Sequence, residues 1–487
     1  MENRWILVID GYEGIRKSAI NLFNGYVAGL VPYVLPIKMV SELTAKELEN
    51  NNIIAVGSVK THPVLEKYAK LNLIDEPNKE EGYSIFVGKP NKENEKIYTI
   101  AIAGYDDKGV LYGCMEFINA YLGDHINKGG YIWGASHYQN ILDRELNEFK
   151  CSNYPKIKTR AIWTWGYVIY DYKSFFENMA KLKLNEVVIW NDHVPFNAKD
   201  VVEYAHSYGI KVIWGFSWGW FSKLKTVVND LCKEEGLKKI KLEVLSVYSK
   251  QYANMNADGI YFQSFTELKE TIIDGKPIAQ IVTELVNDVA GELLKINPNL
   301  HIQFGLHATS VKPSLDILKT LDKRIYIVWE DCGAFPYTYT SDNVEDFEDT
   351  YNFTNGILTL RGDNEKFGAV FKGMSNLDWS NFEHHHNKSY IMGTYNKKFI
   401  REREITRGKI WKIALGGWLK NANYCQKMVE LISKNENSIV QALVEDGMFE
   451  YKIPLPVAIY ADLLWNNSEK VEDVIYKASK SPLVDNE

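Results

Sequence analysis

The sequence predicts an α/β fold: a (β/α)8 TIM barrel preceded by a small α+β domain and followed by a C-terminal helical extension. Three observations carry this. From Pro155 onward, short apolar runs alternate with longer stretches at helical spacing, the pattern of parallel strands joined by crossover helices. About eight such units occupy roughly the 250 residues that a closed barrel needs. Upstream, two strands separated by a lysine- and asparagine-rich turn read as a hairpin, which a purely parallel sheet does not contain.

In order along the chain, the first domain (1–150) opens with the strand WILVID at 5–10 and an amphipathic stretch from Ile15 to Leu30. The strand NIIAVG at 52–57 follows, then the hairpin strands GYSIFVG (82–88) and YTIAIAG (98–104), and a helix from Lys108 to Leu122. Between Gly123 and Tyr154 the pattern weakens into a connection. The barrel (151–405) is assigned the strands TRAIWTW (159–165), NEVVIW (185–190), IKVIWGF (210–216) and DGIYFQSF (258–265). HIQFGLH (301–307), RIYIVW (324–329), GILTLR (356–361) and GAVFKGMS (368–375) complete the eight. Helical spacing fills the gaps at Tyr172 to Leu182, Ala198 to Tyr208, Pro277 to Lys295 and Ser314 to Leu321. Residues 406–487 read as helices packed on the barrel.

Composition narrows the function classes. With 487 residues, 46% of them hydrophobic, and only 14 prolines, the chain is globular. A net charge of −7 supplies no broad positive field for nucleic acid or an anionic membrane, so a neutral or polar small molecule is the expected partner. No stretch reaches the roughly 18 apolar residues of a membrane span, and the start MENRWILVIDGYEG lacks the pattern of a secretory leader. Cys114, Cys151, Cys232, Cys332 and Cys425 are odd in number and scattered, which argues against a disulfide framework. A cytoplasmic location is expected.

Aromatic residues reach 13%, with 13 Trp and 30 Tyr, and their placement suggests chemistry. In a barrel of this kind, functional side chains come from the C-terminal strand ends. Those ends carry Trp163 and Trp165; Asp192 and His193 after Trp190; Trp218 and Trp220 after Trp214; Glu267; His307; Glu330 and Asp331 after Trp329; Arg361 and Asp363; and Trp379, Glu383 and His384. Indole rings stack on the C–H faces of sugars, while carboxylates, His and Arg hydrogen-bond their hydroxyls. Glycosidic hydrolysis also needs two carboxyl groups, one as acid and one as base or nucleophile.

Glu267 closes the uncharged aromatic strand IYFQSFTE and is the candidate general acid, expected in a poorly hydrated mouth; a surface glutamate is the plainer alternative. Glu330 and Asp331 follow IYIV directly, and strand alternation lets only one face the pocket, so either is the second carboxylate. Asp363 is a third candidate, with an Arg361–Asp363 salt bridge as its structural alternative. Trp163, Trp165, Trp218 and Trp379 are candidate sugar platforms, or else packing; Asp192, His193, His307, Arg361, Glu383 and His384 are candidate hydroxyl contacts. His384, His385 and His386 are neighbours on one extended strand and cannot all face one ion, so no metal is assigned. Nor is a cofactor expected: there is no GxxxxGK[ST], GxGxxG after a strand, HExxH or GxSxG.

The run YTIAIAGYDDKGVLYGCMEFINAYL contains Gly104, Asp106, Gly109, Tyr112 and Gly113 in a Gly-x-Asp-x-x-Gly-x-x-Tyr-Gly pattern. It resembles the small α+β domain that precedes the barrel in family 20 β-hexosaminidases and family 67 α-glucuronidases. The stretch from Pro155 to Arg160 is similar to the Pro-x-x-x-x-Arg start of their barrels. The resemblance covers about the first 165 residues and implies a sugar hydrolase. Family 20 enzymes carry an Asp-Glu dyad at the end of strand four, whose Asp positions the acetamido group; here that place reads Thr266-Glu267. The resemblance therefore implies an acid at Glu267 without the substrate-assisting Asp. The α-glucuronidase-like arrangement, with carboxylates at strands six and seven, matches Glu330 or Asp331 and Asp363, and Arg361 is then a partner for a uronate. The expected function is exo-acting glycoside hydrolysis. The alternative is a non-catalytic carbohydrate-binding protein on the same fold.

Overall fold

The structure is a computed structural model that describes residues 4–91, 96–123, 142, 146–164, 169–190, 193–218, 233–263, 265–330, 346–362, 365–374, 389–393, 395–444, 449–466 and 468–484. The first domain is a six-stranded sheet of β1 (Trp5–Ile9), β2 (Ile37–Met39), β3 (Asn52–Gly57), β4 (Tyr83–Gly88), β5 (Thr99–Gly104) and β6 (Phe149–Asn153). Its order is β2-β1-β3-β5-β4-β6, parallel except for the antiparallel β4, which pairs with β5 as the hairpin reading requires. β6 lies in the stretch read as a connection. Its burial pattern is half-exposed, and a short edge strand of FKCSN gives little apolar signal.

One face of this sheet packs its own small core around Val8, Ile53, Leu65 and Phe86. The other face merges with the barrel through the helix Asp107–Glu116. The glycines of the sequence motif explain how closely that helix sits. A Cβ on Gly104 would lie 2.2 Å from the Val110 nitrogen, and one on Gly109 would lie 2.3 Å from the Gly82 carbonyl. Asp106 caps the helix by accepting from the Gly109 N–H at 2.7 Å, and its other oxygen accepts from the Glu81 N–H at 3.0 Å.

The barrel closes with eight parallel strands: β7 (Thr159–Trp163), β8 (Glu186–Trp190), β9 (Lys211–Gly215), β10 (Gly259–Gln263), then, after the small hairpin β11 (Ile272–Ile273) and β12 (Lys276–Pro277), β13 (His301–Leu306), β14 (Ile325–Trp329), β15 (Phe367–Met374) and β16 (Ile439–Val444). Side chains alternate as the pleat demands. Trp163, Val188, Trp190, Ile213, Tyr261, Val328, Val370 and Leu443 fill the interior, and their neighbours in sequence join the helix layer.

Two strand assignments are corrected. GILTLR is not a strand: Ile357 and Leu358 end the helix Phe347–Leu358, and the chain then turns. A short apolar run cannot be distinguished from a buried helix end by periodicity alone. Strand seven is therefore β15, and the eighth, IVQALV, lies at 439–444, inside the segment read as a helical extension. The 36-residue helix Lys397–Ile432 is the crossover that leads into it.

The remaining helices, Leu455–Trp465 and Val471–Lys480, close the bottom of the assembly against the first domain. Leu455–Trp465 is buried on nearly every side. Among the described residues, no helix is long and apolar enough to cross a membrane.

Candidate active site

β10, β13 and β14 are adjacent in the barrel, and their C-terminal ends bring three of the sequence candidates together. His307, just past β13, places Nε2 2.8 Å from Oε1 of Glu267 and 2.8 Å from Oε2 of Glu330. The two carboxylate oxygens are thus no further apart than twice that distance.

The two glutamates differ sharply in access. Glu330 continues the inward row of β14, and its side chain is 1% exposed. Its Oε1 accepts from the Tyr261 hydroxyl, and its Oε2 accepts from Gln263 Nε2 at 2.5 Å. Gly305 presses on the same oxygen as Tyr261: a Cβ there would lie 2.0 Å from Glu330 Oε1 and 2.4 Å from the Tyr261 hydroxyl. Glu330 is thus enclosed among Tyr261, Gln263, His307 and Gly305. A group that must approach an anomeric carbon needs an open face.

Glu267 has that face, with its side chain 46% exposed. The poorly hydrated environment expected for it is therefore not found; His307, rather than an apolar wall, is its near neighbour. The loop that delivers it is strained. Phe265 has φ of +45°, a left-handed backbone that bulky residues rarely adopt, and such residues concentrate at functional sites. Thr266 is buried, and its hydroxyl accepts from the His307 N–H at 3.1 Å, while Ser310 donates to its carbonyl at 2.8 Å. Thr266 thus pins this loop to the next strand end.

The other candidates separate clearly. Arg361 is not in the mouth: its guanidinium donates to the carbonyls of Asp322, Ile325 and Lys366 at 3.1, 2.9 and 2.8 Å, at the N-terminal ends of β14 and β15. Trp218 is not a sugar platform either, being fully buried and stacked on Phe262 at 3.5 Å and 7°. Trp163 lies in the interior layer, 5.7 Å from the ring of Tyr261. His193 is half-buried on the loop after β8. Trp165, Asp192, Asp331, Asp363, Trp379, Glu383 and His384 lie outside the described residues.

Three residues escaped the strand-end reading. Tyr261 and Gln263 lie within β10, not beyond it, and a glutamine inside an apolar run was the available signal. Lys372 lies on β15 two residues past the inward-facing Val370 and is buried. Because a side chain at Gly305 would collide with this network, Gly305→Ala is expected to displace Glu330 or Tyr261 and lower stability by about 1–3 kcal/mol. Urea unfolding of the variant measures the loss.

No protein-family model and no curated protein matches the sequence. Solved structures do. CpGH84B shares 13% identity at a TM-score of 0.52, over 97% of this chain and 70% of its own. The β-N-acetylhexosaminidase from Bacteroides fragilis NCTC 9343 shares 11% at 0.51, over 98% and 90%. A GH138 enzyme targeting pectin rhamnogalacturonan II shares 11% at 0.51, over 99% of this chain and 64% of its own. This chain has a glycoside-hydrolase fold. The likeness spans both the first domain and the barrel of this chain, as the coverage shows.

Proposed function

We propose that this protein hydrolyses an O-glycosidic bond by carboxyl acid–base catalysis, exo-acting on an oligosaccharide or glycoconjugate, with Glu267 as the general acid. The observation that carries the proposal is the exposed Glu267 held against His307, which is in turn held against the enclosed Glu330, at the mouth of a glycoside-hydrolase barrel. Glu267 has an open face to donate a proton to a leaving oxygen, and His307 fixes where it points. Glu330 acts on His307, not on sugar. The base or nucleophile is then a carboxylate outside the described residues. Nothing in this scheme calls for a metal or an organic cofactor.

Thr266 in place of a carboxylate disfavours substrate-assisted cleavage of an N-acetylhexosamine. The test is turnover of aryl α- and β-glucuronides, β-GlcNAc, β-Glc, β-Gal and an α-sialoside by the full chain at pH 4 to 8. Hydrolysis of one of these, lost on heat denaturation, supports the proposal. Binding of a sugar without turnover points instead to a carbohydrate-binding protein on a hydrolase fold.

A further inference from the structure

The barrel interior holds a second set of polar side chains that the proposed chemistry does not use. Glu186 on β8, Gln303 on β13 and Gln441 on β16 are all 0% exposed. Gln303 Nε2 donates to Glu186 Oε1 at 2.8 Å, and Gln441 Nε2 donates to Gln303 Oε1 at 2.6 Å. The Gln303 amide also lies 3.0 Å from His301 Nε2. Since the amide nitrogen is the donor there, that imidazole nitrogen is an acceptor and His301 is neutral. Burial, with Lys211 nearby, holds the His301 imidazole down to about 3, in agreement.

Two buried oxygens have no donor: Glu186 Oε2 and Gln441 Oε1. Two acceptors left bare in a barrel core are unfavourable, because each has given up its hydrogen bond to water without a replacement. One proton resolves both.

We infer that Glu186 is a neutral carboxylic acid in the folded protein, its O–H donating to Gln441 Oε1, so that Glu186, Gln303 and Gln441 form a closed hydrogen-bond ring and make the stability of the barrel proton-dependent. Each member of the ring then donates once and accepts once around it. Burial is the largest influence on the Glu186 carboxyl and raises it to about 7. The charged and titratable groups facing it leave this balance in place. Lys211 on β9 and Lys108 in the first domain draw it toward ionisation, and Asp258 before β10 opposes them. Tyr326 on β14 and the neutral His301 add no cation.

The sign follows from linkage. An acid whose folded pKa lies above its unfolded value binds a proton more tightly when folded, so its contribution is complete below about 4.5 and is lost as pH rises to about 7. Above that the contribution is flat. Glu186→Gln replaces the acid with an amide that can donate to Gln441 at any pH.

The test compares urea unfolding of the wild type and Glu186→Gln at each pH from 5 to 8. The folding constant of the wild type relative to the variant is expected to fall about tenfold per pH unit up to about 7 and then level off. A ratio that does not change over this range overturns the proposal. So does a wild-type stability at pH 6 that rises with Na⁺ or K⁺ at constant ionic strength, since an ionised Glu186 and a bridging cation would then hold the two oxygens together. If Glu186→Gln does not fold, infrared spectroscopy decides. A buried carboxylic-acid carbonyl band is expected that disappears with a midpoint near pH 7, recorded in a Glu450→Gln background because burial raises Glu450 to about 7 as well. Absence of that band at pH 6 overturns the ring.

Discussion

Glu267→Gln is expected to slow hydrolysis of glycosides with alkoxide leaving groups by about 10²–10⁴. The size follows from what the residue is asked to do. An alkoxide cannot depart from the anomeric carbon without a proton, and Gln is isosteric but has none to give. A dinitrophenolate needs no such help, so the same substitution should slow dinitrophenyl glycosides far less. This dependence on leaving group separates a lost acid from a damaged fold, which slows every substrate alike. Glu330→Gln should behave differently. It keeps the shape that packs against Gly305 and accepts from Tyr261 but weakens the grip on His307, so the loss should stay within about a hundredfold and be similar for both classes of leaving group. If Glu330→Gln instead reproduces the leaving-group pattern of Glu267→Gln, the roles of the two glutamates are reversed. Initial rates on one alkyl and one dinitrophenyl glycoside decide between these outcomes.

How much of this was legible in the sequence depends on which physical signal each residue left. Strands buried on both faces announce themselves as apolar runs, so seven of the eight barrel strands and the hairpin of the first domain were readable from the residues. IVQALV was hidden because it follows a 36-residue helix, so a reader finds helix on one side and a proline-containing helix on the other. Its glutamine, like Glu186 and Gln303, is a polar residue at an inward position of an apolar strand. Period-two spacing marks such a residue as unusual but does not say what it meets across the barrel. The site divides the same way. Glu267, His307 and Glu330 stand at strand ends, where the topology alone directs attention. Which of the two acids is open and which is enclosed depends on Tyr261, Gln263 and Gly305, and their convergence with Glu330 is a matter of register between three neighbouring strands that are far apart in sequence. Arg361 was misplaced for a related reason: once a helix end is taken for a strand, the residue after it is sent to the wrong end of the barrel.

The motif that linked the first domain to known sugar hydrolases finds its physical meaning at Arg160, and Arg160→Met is the substitution with the largest expected cost in stability. Arg160 begins the barrel yet is 1% exposed. Its guanidinium donates to the carbonyls of Lys183 and Ile157, both at 2.8 Å, and to Glu81 of the first domain at 2.7 Å. It also lies over the rings of Tyr112 and Trp465, at 5.6 and 5.0 Å. One side chain therefore ties the first domain, the first barrel strand and the last barrel helices together. Burial alone pushes the Glu81 carboxyl up, but Arg160 and Lys108 outweigh it and hold it down to about 2. Methionine fills much of the volume and removes the charge. It strands Glu81 with Lys108 as its remaining cation and leaves two buried carbonyls without their donor. Breaking one partner of a buried pair in this way costs about 3–5 kcal/mol. Lys183, which pairs with Glu116 in the same interface, and Lys477, 3.0 Å from Glu116, form a second tie between the same elements. The first domain should therefore loosen, not detach, in Arg160→Met. The expected observation is a urea midpoint well below wild type with increased hydrogen exchange in the Asp107–Glu116 and Leu455–Trp465 helices, while the strands β10, β13 and β14 remain protected. Exchange that rises uniformly through the barrel would show that Arg160 supports the barrel itself and not its junction with the first domain.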